Sequence, residues 1–147
     1  MTTTHPHNTA TLAVRVNGIP APQGSKRHVG NGRMVESSKA VGPWREAVRA
    51  ETQRQHQGAP LDGPLWVHLA FMLPRPRGHF GVRGLRPSAP RYPDRKPDLD
   101  KLVRAVLDAL VAGGGIRDDA RVVRLHADKT YADDVVAVGV AVLAGVL

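Results

Sequence analysis

Four stretches of the chain have the apolar pattern of β-strands. Residues 11–17 alternate apolar and polar positions, which predicts a strand with one buried face. Residues 65–73 are almost continuously apolar, which is typical of a strand in the centre of a sheet. Two further strands are predicted over 122–130 and 135–143, with a turn between them.

Two stretches have helical periodicity instead. A helix is predicted from Pro43, because proline is tolerated in the first turn, to the Gly58-Ala59-Pro60 stop. Residues 98–112 form the clearest helix, followed by a triple-glycine turn. Its apolar stripe is Leu99, Leu102, Val103, Val106, Leu107 and Leu110, and its opposite face carries Asp100, Arg104 and Asp108.

The order βαβαββ predicts an α+β fold, one mixed sheet of about four strands with two main helices packed on it. A chain of 147 residues suits a single domain, which we place at 11–147 after a disordered tail at 1–10. Residues 18–32 are predicted to be a loop, followed by a short strand at 33–36.

The amino-acid composition indicates where in the cell this domain acts and what kind of partner it binds. There are no cysteines, no secretory signal and no apolar run near the roughly 20 residues of a membrane span. We therefore expect a cytoplasmic protein that needs no membrane. The sequence has no P-loop and no dinucleotide-binding fingerprint, so we expect no organic cofactor. The formal net charge is +8, and 16 of the 21 basic residues are arginines, which favours a polyanionic partner such as nucleic acid. A generic basic protein remains the alternative.

The longest irregular segment, residues 74–97, is strongly basic and rich in glycine and proline. We predict a flexible loop that contacts DNA, with a merely solvated loop as the alternative. Its cations face a single acid, Asp94, and they are Arg75, Arg77, Arg83, Arg86, Arg91, Arg95 and Lys96.

Five of the 13 acidic residues lie between Asp98 and Asp119, in an otherwise basic chain. Structural roles would account for them: Asp98 as an N-cap, Asp100 as a first-turn acid and Asp118-Asp119 as an ordinary turn. A magnesium site is the functional alternative, since Mg²⁺ prefers a few carboxylate oxygens together with substrate phosphate. Such a metal would activate water for hydrolysis of a phosphodiester.

A family pattern runs from Lys96 to Lys129. Asp98-Leu99-Asp100, Asp108-Ala109-Leu110, the glycine turn, Asp118-Asp119 and the strand lysine follow one another as in the RusA Holliday-junction resolvases. The stretch resembles the signature region of that family, and weaker similarity extends to residues 20–27, Trp44-Arg45 and Ser88-Ala89-Pro90.

The resemblance implies a homodimer that binds four-way DNA junctions and makes paired, symmetric nicks in recombination and repair, in a bacterial or phage setting. Asp98, Asp100 and Asp119 match the essential carboxylates, which implies a Mg²⁺ site for which Mn²⁺ would substitute. Asp118 would shape the turn or join the site. Two positions depart from the pattern: Lys101 stands where asparagine is usual, and Arg104 stands where a lysine is usual.

Other residues have two readings each. Lys129 contacts phosphate or simply points to solvent, and Lys26 and Arg27 bind the DNA backbone or belong to a plain surface loop. The seven histidines show no zinc spacing.

The competing functions are a non-catalytic nucleic-acid-binding module and a broader nuclease that cuts flaps or forks.

Overall fold

The computed structural model describes residues 12–24, 26–28, 34–36 and 39–147, with only the backbone for 26–28 and 34–36. The predicted N-terminal tail lies outside these ranges. The strands are β1 Leu12–Asn17, β2 Lys26–His28, β3 Met34–Glu36, β4 Leu65–Leu73, β5 Phe80–Gly81, β6 Gly84–Leu85, β7 Val122–Tyr131 and β8 Gly139–Val146. The helices are α1 Val41–Gln55 and α2 Leu99–Ala112, and single 3₁₀ turns cover Arg77–His79 and Asp119–Arg121.

The main sheet has four strands in the order β1-β8-β4-β7. Strands β4 and β7 pair in parallel, whereas β8 pairs antiparallel with both β1 and β4. A parallel pair needs a crossover, and α2 provides it between β4 and β7. The predicted α+β domain with a mixed four-stranded sheet and two helices is confirmed for the described residues, and the nearly all-apolar β4 is indeed internal.

The core lies between one face of this sheet and the two helices. Alternate positions such as Leu12 and Val14 in β1, or Val67 and Leu69 in β4, are buried, while the intervening side chains are exposed or half-buried. Four of the six predicted stripe positions of α2 are buried, with Leu102, Val106 and Leu110 fully so, while Leu99 and Leu107 are half-buried and Ala105 and Ala109 are buried as well. The alternating apolar side chains of the strands and the apolar face of α2 therefore pack into the same core.

Glycine is required where α2 ends. A Cβ atom at Gly113 would lie 2.6 Å from the carbonyl oxygen of Arg49 and 2.8 Å from Cβ of Thr52, both on α1. Because glycine has no side chain, the turn after α2 packs directly against α1. This contact fixes the start of the segment that leads to Asp118 and Asp119.

Three predicted boundaries were wrong. Helix α1 begins at Val41, two residues before the expected Pro43. Residues 26–28 pair with 34–36, although 18–32 was predicted to be all loop. Strand β8 begins at Gly139 rather than at 135, because Oδ1 of Asp133 accepts hydrogen bonds from the backbone N–H groups of Val135 and Val136 and holds them in a turn.

Two additions also emerge. The basic segment 74–97, predicted to lack regular structure, contains a 3₁₀ turn and the β5–β6 hairpin.

No helix in the described part of the chain is both long and apolar enough to cross a membrane.

Candidate active site

Asp98 occupies the N-cap position of α2, yet its side chain makes no capping hydrogen bond. Its backbone carbonyl accepts from Leu102 N at 3.1 Å, so the helix begins without using the carboxylate. The carboxylate instead lies 3.5 Å from Nζ of Lys101, in an exposed ion pair one turn along the helix. The capping role proposed for this side chain is therefore absent, and its oxygens remain accessible to a ligand.

Asp100, Arg104 and Asp108 form a charged row along the outer face of α2, as the i,i+4 spacing predicted. The row extends about 12 Å, given a rise of 1.5 Å per residue. Asp100 and Arg104 are exposed, whereas Asp108 is half-buried and lies 4.0 Å from Nη1 of Arg45 on α1. Arg104 thus stands between two carboxylates at the surface, where a guanidinium is well placed to meet a phosphate.

Asp118 and Asp119 lie just after the glycine turn, at the entry to β7. The backbone N–H of Ala120 donates to Oδ1 of Asp118 at 3.1 Å, and this hydrogen bond is the main reason that the pKa of Asp118 is lowered. The pKa of Asp119 is raised, first by its hydrogen bond with Asp118, then by partial desolvation and by the negative charges of Asp118 and Asp108. Asp119 therefore lies in a concentration of negative charge.

The structure brings some predicted carboxylates together and not others. Asp119 interacts with Asp118 and Asp108, toward the C-terminal half of α2, whereas Asp98 and Asp100 are at its N-terminus. Among the described residues there is no compact group of three acids or histidines of the kind that holds a metal ion. The predicted ligands therefore fall into two groups, one at the N-terminus of α2 and one near Asp108, and their joint role as metal ligands stays a prediction.

The donor chemistry nevertheless suits a hard divalent cation. All five acidic side chains between Asp98 and Asp119 are carboxylates, and the pKa of Asp119 is raised by its hydrogen bond with Asp118, by desolvation and by the negative charges of Asp118 and Asp108. Mg²⁺ takes oxygen ligands and retains several waters, so a few carboxylates suffice. The residues that would hold it are Asp98, Asp100 and Asp119, with Asp118 adjoining.

Lys129 is turned toward the segment that precedes Asp98. Its Nζ donates to the carbonyl oxygens of Arg95 at 2.6 Å and Pro97 at 2.8 Å. The side chain therefore links β7 to the backbone immediately before Asp98. A further proton of the ammonium group remains for a phosphate, so the predicted DNA contact is neither supported nor removed by this arrangement.

The start of the basic segment is also held by β7. The guanidinium of Arg75 lies 4.3 Å from the ring centre of Tyr131 and donates to the carbonyl oxygen of Pro90 at 2.7 Å. The ring of His79 contacts the same tyrosine edge-on, with 5.4 Å between centroids. Both ends of the segment are therefore fixed to one strand, through Tyr131 and Lys129.

The other predicted DNA-binding residues lie largely at the surface. The exposed cations of the segment are Arg77, Arg83, Arg86, Arg91, Arg95 and Lys96. Lys101 is half-buried beside Asp98. The side chains of Lys26 and Arg27 lie outside the described residues. Gln23 is largely buried and accepts a hydrogen bond from Nη1 of Arg45, which indicates packing rather than a free DNA contact.

Sequence reasoning missed two residues of this region. Tyr131 anchors the basic segment, but the partners are 56 and 52 positions away, at Arg75 and His79, so no local pattern revealed the contact. Asp108 influences Asp119 and pairs with Arg45, although it had been noted only as part of the outer helix face. Its place in the Asp-Ala-Leu element and its i,i+4 distance from Arg104 were the available signals.

The comparisons with known proteins give one clear result. The family model described as Endodeoxyribonuclease RusA matches residues 16–142, which is most of the chain and includes every candidate carboxylate. No curated protein matches the chain. The family's activity is that of a crossover junction endodeoxyribonuclease, and the expected enzyme class is confirmed. The chain belongs to the RusA endodeoxyribonuclease family.

Proposed function

We propose that this chain is a magnesium-dependent, structure-selective endonuclease. It resolves four-way junctions by paired symmetric nicks that leave 5′-phosphate and 3′-hydroxyl ends, and it acts in recombination and repair. Family membership supports the reaction class and the branched-DNA substrate. The observation that carries the proposed metal chemistry is the position of Asp98, where the basic segment meets the start of α2. The Asp98 carboxylate makes no capping hydrogen bond to the helix.

Asp98, Asp100 and Asp119 are the proposed magnesium ligands, and Mn²⁺ is the proposed substitute. When bound, the metal supplies Lewis acidity that activates water and offsets charge on the phosphate. The like charges around Asp119 favour occupancy by a cation, because a cation removes their mutual repulsion.

The remaining residues act on the DNA. The exposed Arg104, one turn beyond Asp100, neutralises a phosphate oxygen and does not exchange protons near neutral pH. Lys129 acts first as a positioning residue, because its hydrogen bond to Pro97 sets the backbone before Asp98. The exposed arginines of residues 74–97 neutralise phosphates of the arms and draw the duplex toward α2.

A homodimer completes the proposal. A four-way junction has approximate two-fold symmetry, and two coordinated nicks require two active sites. Size measurement with and without a junction tests this part separately from catalysis.

The test is an endonuclease assay on a labelled four-way junction, with linear duplex and flap controls, in magnesium or in chelator. Asp98→Asn, Asp100→Asn and Asp119→Asn should abolish nicking while junction binding persists. Asp134→Asn is the matched control, because Asp134 is an exposed turn carboxylate on the β7–β8 connection. Binding without cleavage by the unmodified protein would indicate a non-catalytic module, and equal cutting of flaps would indicate the broader nuclease.

A further inference from the structure

The β5–β6 hairpin presents an apolar tip to solvent. Phe80 pairs with Leu85 and Gly81 with Gly84, which leaves Val82 and Arg83 as the two turn residues. Val82 is fully exposed at 107%, and Phe80 and Leu85 are exposed at 47% and 51%. Phe80 and Leu85 line a groove beside the β7–β8 connection, whereas Val82 stands at the turn as the most exposed of the three. The Val82 side chain therefore gains free energy when a partner covers it.

This projection is held firmly at its base. The backbone N–H of Arg86 donates to the carbonyl of His79 at 2.8 Å, and Nε of Arg86 donates to the carbonyl of Phe80 at 3.2 Å. His79 and Arg75 in turn contact Tyr131 at the end of β7. The base of the hairpin is therefore attached to the main sheet through these contacts, and β7 sets the position of the tip relative to α2.

The charges around the tip specify the partner. Residues 74–93 contain no acid, and Arg77, Arg83 and Arg86 are exposed around the hairpin. On the side where Phe80 and Leu85 line a groove, the hairpin faces Asp133 and Asp134, so the cations flank the turn at Val82 rather than the whole hairpin. An apolar turn flanked by cations complements a polyanion that has an apolar interior. Nucleic acid has this chemistry, with stacked bases enclosed by phosphates.

We propose that the hairpin inserts Val82 between bases at the branch point of DNA, with the surrounding arginines on the flanking phosphates. Separating stacked bases costs a few kcal/mol in intact duplex and least where the stack is already interrupted. Insertion therefore favours branched over linear DNA, which makes the tip a determinant of substrate selectivity. The inference rests on the proposed function, since it assumes that branched DNA is the substrate.

The turn between β7 and β8 provides a matched control. Val135 is exposed at 90%, close to the value for Val82, but it follows Asp133 and Asp134. Its acidic surroundings repel phosphates, so it shares the exposure and lacks the complementarity. Comparing Val82→Ser with Val135→Ser isolates the role of the tip from a general effect of exposed valines.

The experiment uses the full chain in chelator with four-way junctions that carry 2-aminopurine either at the branch point or within an arm. The unmodified protein should raise the fluorescence of the branch-point probe and leave the arm probe unchanged. Val82→Ser should lose that rise and weaken junction binding about tenfold, with linear binding changed much less. Val135→Ser should match the unmodified protein, and equal thermal midpoints will confirm that both variants are folded.

The inference is overturned if Val82→Ser keeps the fluorescence rise and the junction preference. It is also overturned if the protein binds an acidic polypeptide through the tip and no DNA. Nicking in magnesium by the same proteins is scored independently. Absence of nicking together with a Val82-dependent fluorescence rise would refute the nuclease and leave the insertion standing, whereas nicking with no such rise would do the reverse.

Discussion

The ammonium nitrogen of Lys129 donates a hydrogen bond to the carbonyl oxygen of Pro97 at 2.8 Å. This bond joins the edge strand β7 to the residue directly before Asp98. The first carboxylate of the candidate site is therefore positioned by a contact between residues 32 positions apart, and the same ammonium also binds the carbonyl of Arg95.

Lys129→Met should lower both stability and nicking. It keeps the length of the side chain but removes two hydrogen bonds, which should cost about 1–2 kcal/mol in the free energy of unfolding. Denaturant titration measures the loss. Lys96→Met is the control, because Lys96 is exposed on the same segment, and its stability should be unchanged. A stable Lys129→Met variant with impaired nicking would instead assign Lys129 to phosphate contact alone.

Asp119→Asn should stabilise the metal-free protein at neutral pH while abolishing nicking. The pKa of Asp119 is raised in the folded protein, so the stability provided by its protonated form is present at low pH and is lost as the pH rises through the raised pKa. Asparagine avoids that loss. Thermal unfolding in chelator should show a higher midpoint for the variant at pH 7, and the difference should shrink on acidification. A lower midpoint at pH 7 would contradict the assignment.

Neighbouring carboxylates should have graded effects on Asp119. Asp118→Asn removes a charge and alters the hydrogen bond that is the largest cause of the raised pKa, whereas Asp108→Asn removes only a weaker charge interaction. Both should lower the pKa of Asp119, with the larger change in Asp118→Asn. Carbon-detected NMR titration of the carboxyl groups in metal-free protein measures this order, and an unchanged pKa in both variants would refute the arrangement.

Arg104→Lys should retain most nicking activity, whereas Arg104→Gln should lose it. The position is exposed on α2, so neither change should alter the fold. Both cations neutralise a phosphate, although lysine lacks the two-pronged geometry of arginine. Single-turnover nicking rates with saturating protein provide the comparison. Full activity in Arg104→Gln would remove this residue from the proposed site.

Arg77→Gln should weaken binding to junction and linear DNA alike and reduce the salt dependence of log Kd by about one unit of slope. Its exposed charge is the reason for the uniform effect. Arg54→Gln is the matched control, since Arg54 already pairs with Glu51 at 2.7 Å and should leave the slope unchanged. A slope in Arg77→Gln equal to that of Arg54→Gln would show that Arg77 does not contact a phosphate.

The sequence predicted the parts of the molecule that depend on local periodicity. Helix α2 was found because its apolar stripe follows one helical face, and β4 because its sequence is almost continuously apolar. The hairpin was missed because strands of two residues are too short for an alternating pattern. Its anchor at Tyr131 and the ties from Lys129 join distant parts of the chain, so only the folded structure reveals them.

The same distinction between local pattern and long-range contact applies to the candidate site. Asp98 and Asp100 could be placed from the helix start, and Asp119 from the glycine turn. The charge interaction of Asp119 with Asp108 depends on how the chain returns past α2, which periodicity does not specify.

The most direct test of the account maps the nicks on a four-way junction whose four strands are labelled one at a time. In magnesium, the protein should nick two opposing strands at symmetric positions near the branch point. The products should carry ligatable 5′-phosphate ends, and Asp98→Asn should give none. Nicks that persist in chelator, or that occur equally along linear duplex, would contradict the account.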